Sequence, residues 1–515
     1  MAGAVDSSSV QYIKNSILKP CGHNYINGRF VESYSKEIFE SRGPAHISEI
    51  LGIFAKSNTN DVSAAVDATK KAFPTWRALG SVKRAEYVWR AARFLEDTLR
   101  LQNIILSHES GKILNEGFAD VTEALHMLQY AFAYGHIGKE GDVFRDEVAQ
   151  KLCLVLNEPR GIVVAISPWN FPRAIPEWLV ALPLITGNVV ILKPSEETPW
   201  CGELVAQSYH KAGIPPGVFQ VVQGMGETVG WDLVKHKSTN TILFTGSYEV
   251  GAKIKKEVAK YPHKNCSIET GSKSAVIVLK DANLDMAVNA AIASAFKTSG
   301  QRCVSGGRVI IERPIFEQFV ERFIEKAKHI KTGDPFDPDV FHGPMINQAG
   351  VEKGLRFNQL ADDENCDILL DRNGEDPPTK DGYWLRPFVY STEWDRTKKC
   401  LTEEAFSPHV ALIPADSAEA AIAIYNDTEY GLSGAVFTNS IHQALATILE
   451  LDCGITYHNL PCIGAGVRMP FGGRKKSGGL TSSAAGLIPA ITHQKAITLN
   501  LAEEIVMAQG LSIKT

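Results

Sequence analysis

The sequence lacks the features that mark several broad classes of protein. It has no lysine- or arginine-rich tract, and 53 basic against 58 acidic residues give a net charge of −5, so no surface for nucleic acid is indicated. No stretch approaches the roughly 20 apolar residues that cross a bilayer. Residues 1–20 lack the basic start and the apolar run of a secretory signal. We therefore expect neither a nucleic-acid partner nor a membrane.

The cysteines also lack a pattern. There are nine, an odd number, with no CxxC pair and no histidine at zinc-finger spacing. We therefore expect no metal site and no disulfide framework. Reduced thiols favour a cytoplasmic location.

The length and composition favour a soluble protein of two or three domains. The chain has 515 residues, of which 44% are hydrophobic and 22% charged. Such a chain is too long for a single ordinary core, and its composition is that of a globular protein.

The N-terminal part has helical patterns. Apolar residues at helical spacing in "NTNDVSAAVDATKKAFPTWRAL" (58–79) predict a helix with Asn60 or Asp61 as its N-cap. The segment "KRAEYVWRAARFLEDTLRLQNIILSHES" (83–110) predicts a second helical block, closed by Gly111.

From about residue 161, short β-branched runs alternate with helix-like segments. The runs are "GIVVAIS" (161–167), "NVVILK" (188–193), "GVFQVV" (217–222), "TILFTG" (241–246) and "SAVIVL" (274–279). Continuous apolar runs separated by helices are typical of parallel strands covered on both faces. We therefore predict a doubly wound α/β domain.

A second alternation runs from about 282 to 480. It includes helical "FEQFVERFIEKAKHI" (316–330), strand-like "HVALIPA" (409–415) and "GLSGAVFT" (431–438), and a polar surface loop at 371–384. Two further segments, 147–159 and 491–501, have strand patterns outside either core. Because exposed apolar strands usually find a partner, we expect an oligomer.

Several polar residues follow predicted strands at the edge where α/β sheets bind ligands. Asn170 in "PWNFP" could turn its amide toward a reacting atom, or it could form an Asx turn. Lys193 and Glu196 in "KPSE" suit the hydroxyls of a ribose, or they form a solvated charge pair. Gly246 at a strand-to-helix turn suits a pyrophosphate, and a tight turn explains it equally well.

Two residues could carry covalent chemistry. Glu269, before Gly271, could be a desolvated general base or a satisfied carboxylate at a sheet edge. Cys303 lies in a small, polar, glycine-flanked segment and could be a nucleophile or a structural cysteine. Arg302 or a helix N-terminus would lower its pKa. The motif G-x-S-x-G of serine hydrolases is absent.

Taken together, seven motifs in order resemble the aldehyde dehydrogenase superfamily, over residues 25–503. They are "PWNFP" (168–172), "KPSE" (193–196), "FTGS" (244–247), "ETGSK" (269–273), "GQRC" (300–303), "EEAFSP" (403–408) and "PFGG" (470–473). The resemblance implies NAD(P)-dependent oxidation of an aldehyde to the carboxylic acid through a cysteine thiohemiacetal and a thioester.

The resemblance also implies roles for single residues. Cys303 matches the nucleophile, Glu269 the base that activates water, and Asn170 the oxyanion hole. The positions that match cofactor contacts are Trp169, Lys193, Glu196, Gly246, Ser247, Glu404 and Phe406. Trp178 matches a position that lines the aldehyde tunnel.

The resemblance and the strand pattern together give a domain scheme. A Rossmann-like dinucleotide-binding domain would span 25–140 and 160–270, and an α/β catalytic domain would span 271–484. A β-strand oligomerisation arm would consist of 141–159 and 485–503, giving a homodimer or homotetramer. NAD is the expected cofactor because Glu196 would repel a 2′-phosphate, with NADP as the alternative since Lys193 lies beside it.

Departures from the family motifs bear on the substrate. The usual E-L-G-G-K appears as "ETGSK", with Thr270 and Ser272 in place of leucine and glycine, and Ala465 stands where an aromatic is frequent. Four cations lie in segments near the tunnel: Arg173, Lys297, Arg302 and Arg468. They suggest a carboxylate-bearing semialdehyde as substrate, unless they face solvent or pair with acids.

Three rival functions remain open. A thioesterase-like hydrolase could use the same Cys303 and Glu269, but it would have no need of the dinucleotide segments. A CoA-acylating enzyme of the same fold would resolve the thioester with CoA and would have less use for Glu269. A non-catalytic protein could have kept the fold, and alkylation of Cys303 would distinguish it.

Overall fold

The chain is described by a computed structural model. It covers residues 20–138, 140–146, 150–464, 466–479, 484–505 and 507. Residues 1–19, where no secretory signal is predicted, and Ala465 lie outside the described residues. In the described part, no helix combines the length and apolarity needed to cross a membrane.

The first of two large sheets has seven strands. In spatial order they are Asn265–Glu269, Thr241–Thr245, Ile162–Ile166, Val189–Lys193, Phe219–Val221, Asn24–Ile26 and Arg29–Val31. The first five are parallel, and the last two are antiparallel. The strand that comes first along the parallel set, Ile162–Ile166, lies in the middle of that set, so the connections wind outward in both directions. This is the predicted doubly wound arrangement, and its ligand crevice is at the carboxyl ends of the central strands.

Helices cover both faces of this sheet. They are Thr59–Ala78, Ser81–Asp97, Leu99–Ser110, Leu114–Ile137, Ala174–Ile185, Pro199–Lys211, Trp231–Lys235 and Tyr248–Val258, with one π-helical turn at Gly226–Gly230. The central strands are largely apolar and buried, and all five residues of Val189–Lys193 are buried. Their burial on two faces explains why these runs read as continuous rather than alternating.

The helical part of the prediction needs two corrections. The first helix is capped by Asn58, not by Asn60 or Asp61, because the Asn58 side chain accepts from the backbone N–H of Asn60. The second block is two helices that meet at Thr98, whose hydroxyl donates to the carbonyl of Phe94. Gly111, with φ of 74°, ends the second of them as predicted.

The second large sheet also has seven strands. In order they are Asp367–Asp371, Phe388–Ser391, His409–Ala415, Arg308–Glu312, Ala275–Val278, Ser433–Phe437 and Ile455–His458. All neighbours are parallel except the first pair. The run at 274–279, predicted alongside the first group, is a central strand of this sheet instead.

The helices of the second part are Leu284–Phe296, Phe316–Lys328, Gln348–Asp363, Lys399–Thr402, Ala418–Asn426 and Ile441–Glu450, with short 3₁₀ turns at Lys297–Gly300 and Arg313–Ile315. Near the C-terminus lie Ala484–Leu487, a 3₁₀ turn, and Ile488–Ile491. Residues 371–384 form the predicted loop, which has neither helix nor strand beyond Asp371.

Three smaller sheets complete the fold. Thr492–Asn500 pairs antiparallel with all nine residues of Lys151–Pro159, which also pairs with Gly141–Arg145. The two strand-like segments outside the cores are therefore partners of each other. Two-stranded pairs join Ile38–Gly43 to His46–Ala55 and Tyr430–Gly431 to Arg474–Lys475.

Candidate active site

Cys303 follows a turn with unusual backbone geometry. Thr298, Ser299 and Gly300 all have positive φ, of 54°, 55° and 69°. Left-handed backbone is unfavourable for a β-branched residue such as Thr298, so the surrounding structure must hold the turn in place. The turn ends the long Leu284–Phe296 helix and carries the chain directly to the half-buried thiol of Cys303.

Buried contacts hold this turn. The backbone N–H of Thr298 donates to Glu116 at 2.9 Å, and the hydroxyl of Ser299 donates to the carbonyl of Gly343 at 2.7 Å. Gly300 lies so close to the chain at Ser407 that a Cβ would be 2.1 Å from its carbonyl oxygen. Glu116 was not identified from the sequence, because it lies 182 residues from Thr298 in an ordinary helical pattern.

Glu269 is the last residue of its strand and directs its carboxyl group to Cys303. It is 2% exposed, and burial raises its pKa to about 7, although hydrogen bonds with Cys303 and Thr245 oppose this. Burial and the charge of Glu269 raise the pKa of the Cys303 thiol well above its ordinary value. The two groups therefore compete for a proton, as a nucleophile and its base would.

The expectation that Arg302 lowers the thiol pKa is wrong. Its guanidinium is turned away from Cys303, with Nε donating to the hydroxyl of Thr298 at 2.8 Å and Nη2 3.5 Å from Glu116. It also lies 5.3 Å from the centre of the Phe171 ring. The thiol is thus buried and close to negative charge, and both effects favour the protonated thiol over the thiolate.

Asn170 lies beside the same segment, in the turn after the strand Ile162–Ile166. Its amide Nδ2 donates to the carbonyl of Gln301 at 3.0 Å, and Asn170 is 5% exposed. An amide nitrogen carries two N–H groups, so one remains for another acceptor. Asn170 therefore contacts the backbone two residues before Cys303.

Lys193 and Glu196 form a pair at the carboxyl end of a central strand. The ammonium of Lys193, 2% exposed, lies 2.5 Å from a carboxylate oxygen of Glu196. The other oxygen of Glu196 accepts from the N–H of Gly226 at 3.2 Å. The ammonium lowers the pKa of Glu196 despite its burial. The pair offers both a donor and acceptors for sugar hydroxyls.

A cleft of about 620 Å³ lies between the two large sheets. Ser247, which caps the helix Tyr248–Val258, lines one wall, and Glu404 lines the opposite wall. Gly246 immediately precedes this helix N-terminus, where N–H groups favour a phosphate. Lys193 and Glu196 are not among the residues that line this cleft, but the helix end and this charged pair are groups of the kind that the phosphates and ribose of a dinucleotide need.

Glu404 and Phe406 reach the nucleophile's surroundings from the second domain. Burial raises the pKa of Glu404 to about 7, and its carboxylate is packed so close to Gly271 that a Cβ there would be 2.0 Å from Oε2. Phe406 contacts Trp169 edge-on, with ring centroids 5.7 Å apart. Trp169 of "PWNFP" and Phe406 of "EEAFSP", both predicted to contact the cofactor, are therefore in contact with each other.

The residues predicted to face the aldehyde divide into two groups. Trp178 is 4% exposed and packs edge-on against Phe471 at 5.0 Å. Arg468 is exposed, lies near Tyr130, and has no ion pair among the described residues. The two aromatic rings therefore pack against each other, whereas the Arg468 side chain is exposed.

The other three cations near the tunnel are engaged by the protein. Arg173 is fully buried and donates to Gln102 at 2.8 Å, with Glu177 3.6 Å away. Lys297 donates to the carbonyl of Phe341 at 3.2 Å. Arg302 pairs as described above, so Arg468 is the one of the four that makes neither a hydrogen bond nor an ion pair among the described residues.

Tyr457 is a neighbour of the site that the sequence did not indicate. Burial raises its pKa, and the thiol of Cys303 contributes to the rise. Its hydroxyl donates to the carbonyl of Gly464 at 2.7 Å. It belongs to an edge strand of the second sheet, in a segment without a family motif.

Comparisons with known proteins show what the whole chain is similar to. Residues 30–497 match the model of the aldehyde dehydrogenase family. The chain is 35% identical to alpha-ketoglutaric semialdehyde dehydrogenase of Bacillus subtilis, over 88% of this chain and 93% of that protein. It is 34% identical to 1-pyrroline-5-carboxylate dehydrogenase of Bacillus pumilus, over 92% of each.

A solved structure extends the similarity to the fold. The chain superposes on betaine aldehyde dehydrogenase of Staphylococcus aureus in complex with NAD⁺ with a TM-score of 0.91. The two are 27% identical, and the match covers 98% of this chain and 99% of the other.

Proposed function

The chain belongs to the aldehyde dehydrogenase family, and from that premise we propose that Cys303, Glu269 and Asn170 carry out its reaction. The protein oxidises an aldehyde to the carboxylic acid with NAD. The observation that supports the assignment of residues is the pairing of a half-buried thiol with a buried carboxyl group whose pKa is about 7.

The first half of the reaction forms a bond to sulfur. Glu269 takes the proton of the Cys303 thiol while the sulfur attacks the aldehyde carbon. The carbonyl oxygen becomes an oxyanion, which accepts hydrogen bonds from Asn170 Nδ2 and from the backbone N–H of Cys303. Bound NAD supplies the acceptor for the hydride that the adduct then loses, leaving a thioester on Cys303.

The second half releases the acid. Glu269, after passing its first proton to solvent, takes a proton from water as the water oxygen attacks the thioester carbon. The C–S bond breaks, and Glu269 passes the proton taken from water to the departing sulfur, which restores both groups. A carboxyl group with a pKa of about 7 suits both transfers because it is half ionised at neutral pH.

The cofactor site has residues for each part of a dinucleotide. Lys193 and Glu196 would bind the adenosine ribose, and Gly246 and Ser247 would lie along the pyrophosphate. Glu404, Phe406 and Trp169 would hold the nicotinamide half. The carboxylate of Glu196 disfavours a 2′-phosphate, while the adjacent Lys193 keeps NADP as the alternative.

A carboxylate-bearing semialdehyde is the substrate class that the site supports best. Arg468 is an exposed cation without an ion pair among the described residues. A relative 35% identical bears the name alpha-ketoglutaric semialdehyde dehydrogenase, and such a substrate carries a carboxylate. A guanidinium binds a carboxylate with paired hydrogen bonds, so Arg468 would select acidic over neutral aldehydes.

The larger assembly is also a proposal. The three-stranded sheet of 141–145, 151–159 and 492–500 is the oligomerisation arm of a homodimer or homotetramer. The nine cysteines are free thiols, which suits the reducing cytoplasm.

The test is NADH formation with a panel of acidic and neutral aldehydes. We expect Cys303→Ala to reduce turnover at least about a thousandfold because it removes the nucleophile. Arg468→Ala should reduce kcat/KM for the acidic aldehydes and leave that for the neutral ones unchanged.

Three outcomes would contradict parts of this proposal. Wild-type turnover only when CoA is added would favour the acylating rival. No turnover with any aldehyde would favour a non-catalytic protein. Unchanged selectivity in Arg468→Ala would remove the semialdehyde assignment while leaving the chemistry intact.

A further inference from the structure

Ser272 binds the nucleophile's own carbonyl group. It is 4% exposed and lies three residues after Glu269. Its hydroxyl hydrogen-bonds to the carbonyl oxygen of Cys303 and lies 2.7 Å from the hydroxyl of Ser274. The E-L-G-G-K motif that this segment resembles has glycine at this position, and a glycine could not make either contact.

The directions of these hydrogen bonds follow from the donors available. A carbonyl oxygen can only accept, so the single proton of the Ser272 hydroxyl points to Cys303. The hydroxyl of Ser274 must then donate to Ser272, and the backbone N–H of Ser274 donates to the same oxygen at 3.3 Å. The hydroxyl of Ser272 is thus held in one orientation by two donors.

The backbone of Ser272 makes a separate contact on the cofactor side. Its N–H donates to a carboxylate oxygen of Glu404 at 2.7 Å. One buried residue therefore touches the segment of the nucleophile through its side chain and the segment of Glu404 through its main chain. Removing the hydroxyl would break the first contact and keep the second.

Thr270, the other departure in this loop, is bonded elsewhere. Its hydroxyl donates to the carbonyl of Lys476 at 2.5 Å, and its N–H donates to the carbonyl of Ser477 at 3.0 Å. Neither contact involves Cys303. In this loop, the Ser272 side chain therefore binds the backbone of Cys303, and the Thr270 side chain binds the backbone of Lys476.

We propose that Ser272 is a positioning residue for Cys303, a role that rests on the function proposed above. By holding the Cys303 carbonyl, its hydroxyl fixes the backbone of the nucleophile relative to Glu269, which ends the strand three residues before Ser272. The sulfur and the N–H that would face the oxyanion belong to that same residue. Small displacements of reacting groups reduce rates strongly, so this anchoring acts on the bond-forming step.

The test compares Ser272→Ala with Thr270→Val by rapid mixing with a saturating aldehyde and NAD. We expect Ser272→Ala to lower the rate constant of the NADH burst about tenfold, because the nucleophile is less well placed. The Kd for NAD should stay within about twofold of wild type, since the backbone contact with Glu404 remains. Ser272→Ala should therefore lower the burst rate without changing the affinity for NAD.

Thr270→Val is the matched control, because it removes a buried hydroxyl from the same loop without touching Cys303. It should lower the melting temperature and leave the burst rate unchanged. An equal burst in Ser272→Ala and wild type would overturn the proposal, and so would equal losses in both variants. A wild type without Cys303-dependent NADH would instead overturn the proposed function itself, before any variant is compared.

Discussion

At the scale of single residues, the main feature of the site is the proton that Glu269 and Cys303 compete for. Burial raises the pKa of both Glu269 and Cys303, and the charge of Glu269 raises that of the thiol further. A thiolate is therefore not the resting form of the nucleophile. The reaction needs a base that can accept the proton at neutral pH, and Glu269 has the pKa of such a base.

This arrangement predicts the pH dependence of turnover. Glu269 must be ionised to accept a proton, so kcat should fall as the pH decreases through about 7. At pH 6 roughly a tenth of the carboxyl groups would be ionised, which gives about a tenfold loss from the alkaline plateau. The measurement is kcat at saturating aldehyde and NAD from pH 5.5 to about 9.

A second buried acid makes the assignment testable. Burial raises the pKa of Glu404 to about 7 as well. Glu404→Gln should keep the acidic limb of the profile, whereas Glu269→Gln should lose the limb together with most of the turnover. If the acidic limb disappears in Glu404→Gln but persists in Glu269→Gln, the titration belongs to Glu404. That result would contradict its assignment to Glu269.

The residues to which we assign the chemistry lie in recognisable motifs, and the residues that hold them in place do not. Cys303, Asn170 and Glu269 lie in short motifs beside glycine, proline or strand ends, and the structure brings them together. Glu116 holds the turn before Cys303 from 182 residues away, and no local pattern indicates it. Arg302 was expected beside the thiol, yet Glu116 and the hydroxyl of Thr298 hold it elsewhere.

At the scale of elements, the first helix shows how a capping position is decided. Asn58 has extended backbone and accepts from the N–H of Asn60, while the carboxylate of Asp61 accepts from the N–H of Asn58. These reciprocal bonds form a capping box. The apolar pattern located the helix, but several polar residues near its start could each have served as the cap.

The cap yields a prediction about stability. Asn58→Ala should lower the free energy of unfolding by about 1 kcal/mol, because the backbone N–H groups of Asn60 and Asp61 lose the side-chain oxygen that accepts from them. Asn60→Ala is the control: its side chain makes no capping bond, and its backbone N–H is kept, so a change within about 0.5 kcal/mol is expected. Urea unfolding would measure both, and a larger loss in Asn60→Ala would contradict the assignment.

Strands were easier to predict than turns, for a physical reason. A strand buried on both faces needs β-branched apolar residues along its whole length, and each of the five runs from residue 161 to 279 forms a strand. The left-handed turn at Thr298–Gly300 violates local preference and persists only through tertiary contacts. The break at Thr98 likewise has no glycine or proline to announce it.

At the scale of the whole molecule, the active site is shared between two sheets. Asn170, Lys193 and Glu269 come from the carboxyl ends of the first sheet, while Cys303 and Glu404 come from the second part of the chain. Any relative movement of the two parts would therefore change the distance between base and nucleophile, which gives the Ser272 contact its importance.

The three-stranded sheet of 141–145, 151–159 and 492–500 leaves apolar side chains exposed to solvent. Its edge strand Gly141–Arg145 exposes Val143 by 67% and Phe144 by 50%. A strand edge with exposed apolar residues is a site for pairing with another chain. We expect wild type to elute with two or four times the 56.3 kDa mass of the chain in size-exclusion chromatography with light scattering.

Val143→Glu should shift this assembly toward the monomer, because a buried, unpaired carboxylate opposes association. Val82→Glu is the matched control, since Val82 is also exposed, at 46%, but belongs to the helix Ser81–Asp97 and not to the three-stranded sheet. Its mass should equal that of wild type. Because every residue assigned to catalysis lies within one chain, the Val143→Glu monomer should also retain Cys303-dependent turnover; an inactive monomer would mean that a second copy completes or supports the site.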